Sequence, residues 1–319
     1  MDNERDLAAA DRVVHLLRHL GIERVHLVQG IAEAAAHPGM VASLALVTPA
    51  VSASSPLHQV AVSGTLVAPR LLIHSDAGPL SAAAAFVRAA DALGLAEGGA
   101  AVDVGCGTGA LTRRLAHRVG SAGRVIGADI NAYLLREAAA LARRQGLDQV
   151  ISFEVGSAEA LTFPDNRFNA ALACTVLDEV NAERALAELA RVVRPKGRVA
   201  VLVRAVDIPA WDSLPLRSEL RAKVAARPNA GVTAGVCADG SLYRRFRAAG
   251  FRDVTMGPRF AIDRAEDALP EWRAYYEGSS VGVLSEPEAT EWRAVAAHAS
   301  AERSFLWASA YHCAVGTKP

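Results

Sequence analysis

The chain has 319 residues and carries 34 acidic and 34 basic side chains, so its formal net charge is zero. Hydrophobic residues make up 51% and charged residues 21%, which is typical of an ordinary folded protein and excludes a disordered or fibrous chain. A chain without net charge has no overall field to attract nucleic acid or an anionic membrane, so we expect neither as a partner.

The cysteines and the first residues indicate the compartment. The four cysteines are isolated and form no CxxC pair, which favours reduced thiols over disulfides or a zinc site. The start, MDNERDLAAA, lacks the apolar core of a signal peptide, and no run approaches the roughly 18 apolar residues of a spanning helix. His15 and His19 share a helix face without a third ligand. We therefore expect a cytoplasmic protein without a metal site.

The first 95 residues are predicted to form a small αβ module. Its predicted elements are a helix over residues 4–20, a strand over 25–28, a helix over 31–36, strands over 43–48 and 71–75, and a helix over 80–93. The run from helix to strand to turn resembles the α/β-hydrolase fold around its nucleophile elbow, G-x-S-x-G. Ile31 stands at the nucleophile position and Gly78 at that of the catalytic acid.

Neither Ile31 nor Gly78 can perform the chemistry of its position, so we expect no hydrolase activity. The apolar strands of the module nevertheless require burial. The module is predicted to be a non-catalytic packing element, covered either by a second copy in a homodimer or by the rest of the same chain. The dimer is the favoured alternative.

Residues 101–116, AVDVGCGTGALTRRLA, predict a buried strand, a glycine turn and a helix. Glycine allows positive φ and close approach of the backbone to a ligand, and the amides at the helix start face that ligand. Gly105, Gly107 and Ala110 would also fit a dinucleotide fingerprint. Asp103, however, precedes the turn, and an acid there suits a cationic ligand group better than a phosphate.

Alternating strands and helices continue to the end of the chain. Strands are predicted over 124–129, 150–155, 168–174, 199–203 and 251–256, with helices over 131–145, 182–193, 219–231 and 242–249. Strict alternation over residues 305–315 predicts a final antiparallel strand. Asp129 ends the second strand, where a carboxylate can hold a ribose diol or, alternatively, cap the next helix.

The pattern Asp103-x-Gly105-x-Gly107-x-Gly109 resembles motif I of the class I S-adenosylmethionine-dependent methyltransferases, and RPKGR at 194–198 resembles a later turn of that family. The likeness covers residues 96–319 and is nearest to small-molecule enzymes of the ubiquinone and menaquinone biosynthesis type. It implies an α/β, doubly wound, mostly parallel seven-stranded sheet. It also implies in-line transfer of the sulfonium methyl to a small-molecule acceptor.

The resemblance also implies the cofactor residues. It places Asp103 and the three glycines around the methionine moiety, Thr112 on its carboxylate and Asp129 on the ribose. The remaining implied cofactor contacts are Ile130, Ser157, Ala158 and Cys174. Ser157 stands where the family usually has an acid that contacts the adenine amine, which weakens or changes that contact.

The acceptor side is less defined. Asp178 and Glu179 follow the fourth strand and are candidates for a base or an acceptor contact, or for a solvated pair at a helix start. His312, on the last strand, is a third candidate, or a hydrogen-bonded core histidine. Five aromatic residues could form an acceptor lid or simply pack helices: Trp211, Trp272, Tyr275, Tyr276 and Trp292.

Two other functions fit the same pattern. A nicotinamide-dependent oxidoreductase would use the same glycine turn, but Asp103 and the predicted antiparallel last strand disfavour it. The other alternative is a protein that binds S-adenosylmethionine without transferring its methyl group. In-line transfer needs no obligatory catalytic residue, so the sequence does not distinguish such a protein from an active enzyme.

Overall fold

The computed structural model describes residues 80–209, 211–226, 235–268 and 270–319. The predicted elements before residue 80, His15, His19, Ile31 and Gly78 lie outside these residues. The contacts within the chain define a compact unit of Ile73–Leu269 and Ser279–Pro319, and assign residues 1–72 and Pro270–Gly278 to a second unit.

Eight helices and eight strands occur in the described ranges. The helices are α1 Leu80–Asp91, α2 Ala110–Val119, α3 Ala132–Arg144, α4 Ala182–Val192, α5 Ser218–Ala225, α6 Leu242–Ala248, α7 Pro270–Val281 and α8 Glu286–Ala301. The strands are β1 Ala100–Val104, β2 Arg124–Asp129, β3 Ile151–Val155, β4 Phe168–Cys174, β5 Val193–Arg204, β6 Trp211–Asp212, β7 Arg252–Arg264 and β8 Leu306–Thr317.

These strands form one mixed sheet in the order β3-β2-β1-β4-β5-β8-β6, with β7 also paired to β8. Strands β1 to β5 run parallel, and β8 is antiparallel to β5, β6 and β7. The prediction of seven strands was wrong by one, because the structure has eight. The two-residue β6 pairs with β8 where β8 continues beyond the end of β5, an association that no local pattern encodes.

Helices cover both faces of the sheet. On one face, α4 and α6 contribute Leu186 and Phe246 to a core with alternate residues of the strands, such as Val104 and Val203. On the other face, residues of α1 and α2 pack over the remaining alternate positions, and the Phe86 ring contacts Tyr311 at 5.2 Å between centroids. Helix α1 thus packs on the same face of the sheet as α2.

The later elements depart most from prediction. Strand β7 is 13 residues long, about twice the predicted length, because β8 pairs with it from Arg252 to Arg264. The RPKGR turn is incorporated into β5, with Lys196 at φ +64° where the pairing with β4 shifts register. Helix α8 was not predicted, and its Trp292 is buried beside Phe305 in the core, not in a lid.

Candidate cofactor and acceptor site

The glycine turn between β1 and α2 has a backbone that few other residues could adopt. Gly105, Gly107 and Gly109 have φ of +70°, +55° and +74°. The turn is tied to β2, because the amides of Gly105 and Cys106 both donate to the Ala128 carbonyl, at 2.7 and 3.1 Å. A Cβ on Gly105 would lie 2.3 Å from Cγ2 of Val176. The N-cap residue Gly109 has no side chain to cap α2, and the Thr112 amide is directed to Asp103, so the amides of Ala110 and Leu111 are the candidates for a ligand.

Asp103 is a buried carboxyl group without a cationic partner among the described residues. It is only 2% exposed, and its Oδ2 accepts a hydrogen bond of 2.7 Å from the Thr112 hydroxyl. Burial raises the pKa of Asp103 from 3.8 to about 7. The hydrogen bond from Thr112 lowers this pKa in part, and the negative charge of Asp129 raises it by a smaller amount. Thr112 was predicted to donate to the ligand carboxylate, but its one donor is directed to Asp103.

Asp129 is held at the end of β2 by two backbone amides. Its Oδ2 accepts from Gly107 and its Oδ1 from Asn131, both at 2.9 Å, and the residue is 6% exposed. The cap of α3 is Asn131, whose side chain accepts from the amides of Tyr133 and Leu134. Asp129 therefore does not cap the helix, and each of its oxygens retains a lone pair for a further donor.

The other predicted cofactor residues differ in accessibility. Ile130, directly after Asp129, is 62% exposed at the carboxyl edge of the sheet. Ser157 is exposed, and its hydroxyl accepts from the Glu159 amide at 3.2 Å. The Ala158 side chain is part of the hydrophobic core, so only its backbone could contact a ligand.

Cys174 ends β4, four residues before the acceptor candidate Asp178. It is buried and, like the other three cysteines, unpaired. Burial raises the pKa of its thiol, with further contributions from the charges of Asp103 and Asp178. The chain then turns sharply at Thr175, which has φ +53° and donates its amide to the Leu202 carbonyl at 2.7 Å.

Asp178 forms a buried ion pair that the sequence did not reveal. The residue is 3% exposed, and its Oδ2 accepts from Nε of Arg204, the last residue of β5, at 2.8 Å. Its Oδ1 is buried and has no hydrogen-bond partner in the described part of the chain. Glu179 is exposed. The one sequence signal that could have indicated this ion pair is the position of Arg204, directly after the predicted strand 199–203.

His312 is not on the same face of the sheet as Asp103. It pairs with Val203, whose side chain packs on the α4 and α6 face, whereas Asp103 alternates onto the α1 and α2 face. Its Nε2 lies 2.7 Å from Oδ1 of Asp207, and the ring is buried. His312 is therefore buried and hydrogen-bonded, in agreement with the core-histidine alternative, and it lies on the opposite face of the sheet from Asp103.

Two structural features that would indicate other functions are absent from the described ranges. No group of three or more metal-ligating side chains occurs in them. No helix in them is both long and apolar enough to cross a membrane.

Comparison with known proteins supports a methyltransferase domain. Residues 101–197 match the family model described as a methyltransferase domain. The chain is 35% identical over 144 residues to the ubiquinone/menaquinone biosynthesis C-methyltransferase UbiE of Hahella chejuensis, covering 42% of this chain and 58% of that protein. The UbiE of Hydrogenovibrio crunogenus is 34% identical over 138 residues, covering 40% and 54%. The chain thus spans little more than half the length of these relatives.

The fold is also found in a solved structure. The crystal structure of the YcgJ protein from Bacillus subtilis has a TM-score of 0.50 and 16% identity, covering 74% of this chain and 98% of that one. The likeness of the N-terminal segment to an α/β-hydrolase is not supported by these relatives.

Proposed function

We propose that the protein is an S-adenosylmethionine-dependent methyltransferase that acts on a small-molecule acceptor. The observation that carries this proposal is the pair of acidic residues, Asp103 and Asp129, beside a glycine cradle and without a basic partner among the described residues. Burying a carboxylate without a cation is unfavourable, so the site favours a ligand that brings positive charge. S-adenosylmethionine brings two, its sulfonium and its ammonium group.

The chain's residues fit the other parts of this cofactor. Asp129, oriented by two amides, has lone pairs for the ribose hydroxyls, and the exposed Ile130 offers an apolar surface to the base. The uncapped start of α2 can donate to the ligand carboxylate in place of Thr112. Thr112 would instead hold Asp103 in position.

The cofactor, when bound, supplies an electrophilic methyl group whose carbon–sulfur bond breaks as the bond to the acceptor forms. The protein's contribution is to hold the two molecules in line, and positioning of this kind can be worth up to about 7–11 kcal/mol. The same site disfavours a dinucleotide, because the buried Asp103 would repel a pyrophosphate. The relatives' names suggest an acceptor of the quinone-precursor type, and we extend this to the chain as part of the proposal.

Titration calorimetry at pH 8 with S-adenosylmethionine, S-adenosylhomocysteine and NAD tests the proposal. We expect binding of the first two and no heat from NAD. Asp148→Asn removes an exposed acid that is not one of the proposed cofactor contacts and is the matched control, which should bind like the unaltered protein. Binding of NAD in preference to S-adenosylmethionine would overturn the proposal.

A further inference from the structure

Only one of the two oxygens of the Asp178 carboxylate has a hydrogen-bond partner among the described residues. Its Oδ2 is bonded to Arg204, while its Oδ1 is buried without a hydrogen-bond partner in the described ranges. A carboxylate can accept about four hydrogen bonds, and buried polar atoms in proteins nearly always have at least one. The second oxygen is therefore available to a donor from outside the described residues.

That place is next to the reacting end of the proposed cofactor site. Asp103, Cys174 and Arg204 project from the same face of three neighbouring strands, β1, β4 and β5, at or near their carboxyl ends. Asp178 follows Cys174 by four residues, and the charges of Asp103 and Asp178 both contribute to raising the pKa of the Cys174 thiol. Ligands of open α/β sheets bind at this edge, and a methyl acceptor must lie beside the sulfonium group.

We propose that Oδ1 of Asp178 accepts a hydrogen bond from an O–H or N–H group of the methyl acceptor, with Arg204 as the positioning residue. This inference rests on the proposed function and specifies its substrate class. The ion pair of Asp178 and Arg204 carries no net charge, so the acceptor group is a neutral donor, such as a phenol, an alcohol or an amide.

The other acidic candidate does not meet these conditions. Glu179 is exposed to solvent, which satisfies its carboxylate without a ligand. Asp178 is therefore the acceptor contact of the pair, and the sequence alone left this choice open.

The test uses matched probes with and without the donor. The full chain, saturated with S-adenosylhomocysteine, is titrated with 2-naphthol and 2-methoxynaphthalene, 1-indanol and 1-methoxyindane, and acetanilide and N-methylacetanilide, with affinities measured by ligand-observed NMR. We expect the donor-bearing member of at least one pair to bind about 10- to 150-fold more tightly, the usual value of a hydrogen bond to a charged group.

Two variants assign this preference to the ion pair. Asp178→Asn is expected to present an amide N–H₂ in place of Oδ1, since its oxygen faces Arg204, and so to reverse the preference towards the ethers. Arg204→Lys keeps a positive charge at this position and should retain the preference in part, and Asp148→Asn should retain it fully. S-adenosylhomocysteine affinity within about threefold of the unaltered protein shows that each variant is folded.

Three results would overturn the proposal: equal affinity for both members of every pair, binding of no donor-bearing probe, or an unchanged preference in Asp178→Asn. All three are read while S-adenosylhomocysteine still binds. Failure of the unaltered protein to bind S-adenosylhomocysteine would refute the proposed function itself, and this result is distinct from the other three.

Discussion

Replacing Asp103 with asparagine should make the protein more stable at alkaline pH. The change removes the buried charge but keeps an oxygen that can accept the bond from the Thr112 hydroxyl. In the folded state burial raises the pKa of Asp103 from 3.8 to about 7. As pH rises, the unfolded chain loses this proton first, so the free energy of unfolding falls until the pH passes the folded pKa.

The size of the effect follows from the two pKa values. One pKa unit corresponds to about 1.4 kcal/mol, so Asp103 destabilises the fold by about 4 kcal/mol above pH 8, where it is ionised in both states. At pH 5, where the folded protein keeps it protonated while the unfolded chain does not, it destabilises the fold by about 1–2 kcal/mol. Asparagine has no such dependence. The stability of Asp103→Asn relative to the unaltered protein should therefore rise by about 2–3 kcal/mol between pH 5 and pH 8, or roughly 3–5 °C in Tm for a chain of this size.

Thermal unfolding followed by far-UV circular dichroism, without added ligand, measures this difference at both pH values. Asp148→Asn, which removes an exposed acid, should show almost none of it. If Asp103→Asn differs from the unaltered protein by the same amount at pH 5 and pH 8, then Asp103 titrates as an ordinary carboxyl group and the electrostatic basis of the site is wrong.

Three further predictions concern the cofactor site and the N-terminal module. Asp129→Ala should weaken S-adenosylmethionine binding by about 10- to 150-fold in calorimetry, and a change below about twofold would contradict the ribose contact. Gly105→Ala should abolish binding because its methyl group would meet Val176, whereas Gly146→Ala, at φ +69° with open space around it, should lose only some stability. Light scattering should show a homodimer that becomes monomeric when residues 1–72 are deleted, and an unchanged mass would refute a dimerisation role.

The sequence predicted the central elements well because their signals are local. The strand, glycine turn and helix at residues 100–119 depend on residues within a few positions of each other, and β4 occupies the predicted range Phe168–Cys174. The final antiparallel strand was a local signal of the same kind.

The features that the sequence did not reveal depend on distant contacts. Asp178 and Arg204 are 26 residues apart and meet only because β4 and β5 are neighbours. The Thr112 hydroxyl donates its hydrogen bond to Asp103, a residue of the preceding strand that is nine positions away. The face on which His312 lies depends on its register with β5 and could not be read from alternation alone. Pairing and register were therefore the missing information.

The most direct test of the central claim is a crystal structure of the full chain grown with S-adenosylhomocysteine. We predict that the ribose hydroxyls lie within hydrogen-bond distance of the Asp129 carboxylate and that the ligand's amino group lies on the Asp103 side of the glycine turn. A ligand bound elsewhere, or one bound here with neither carboxylate in contact, would contradict the assignment of this site.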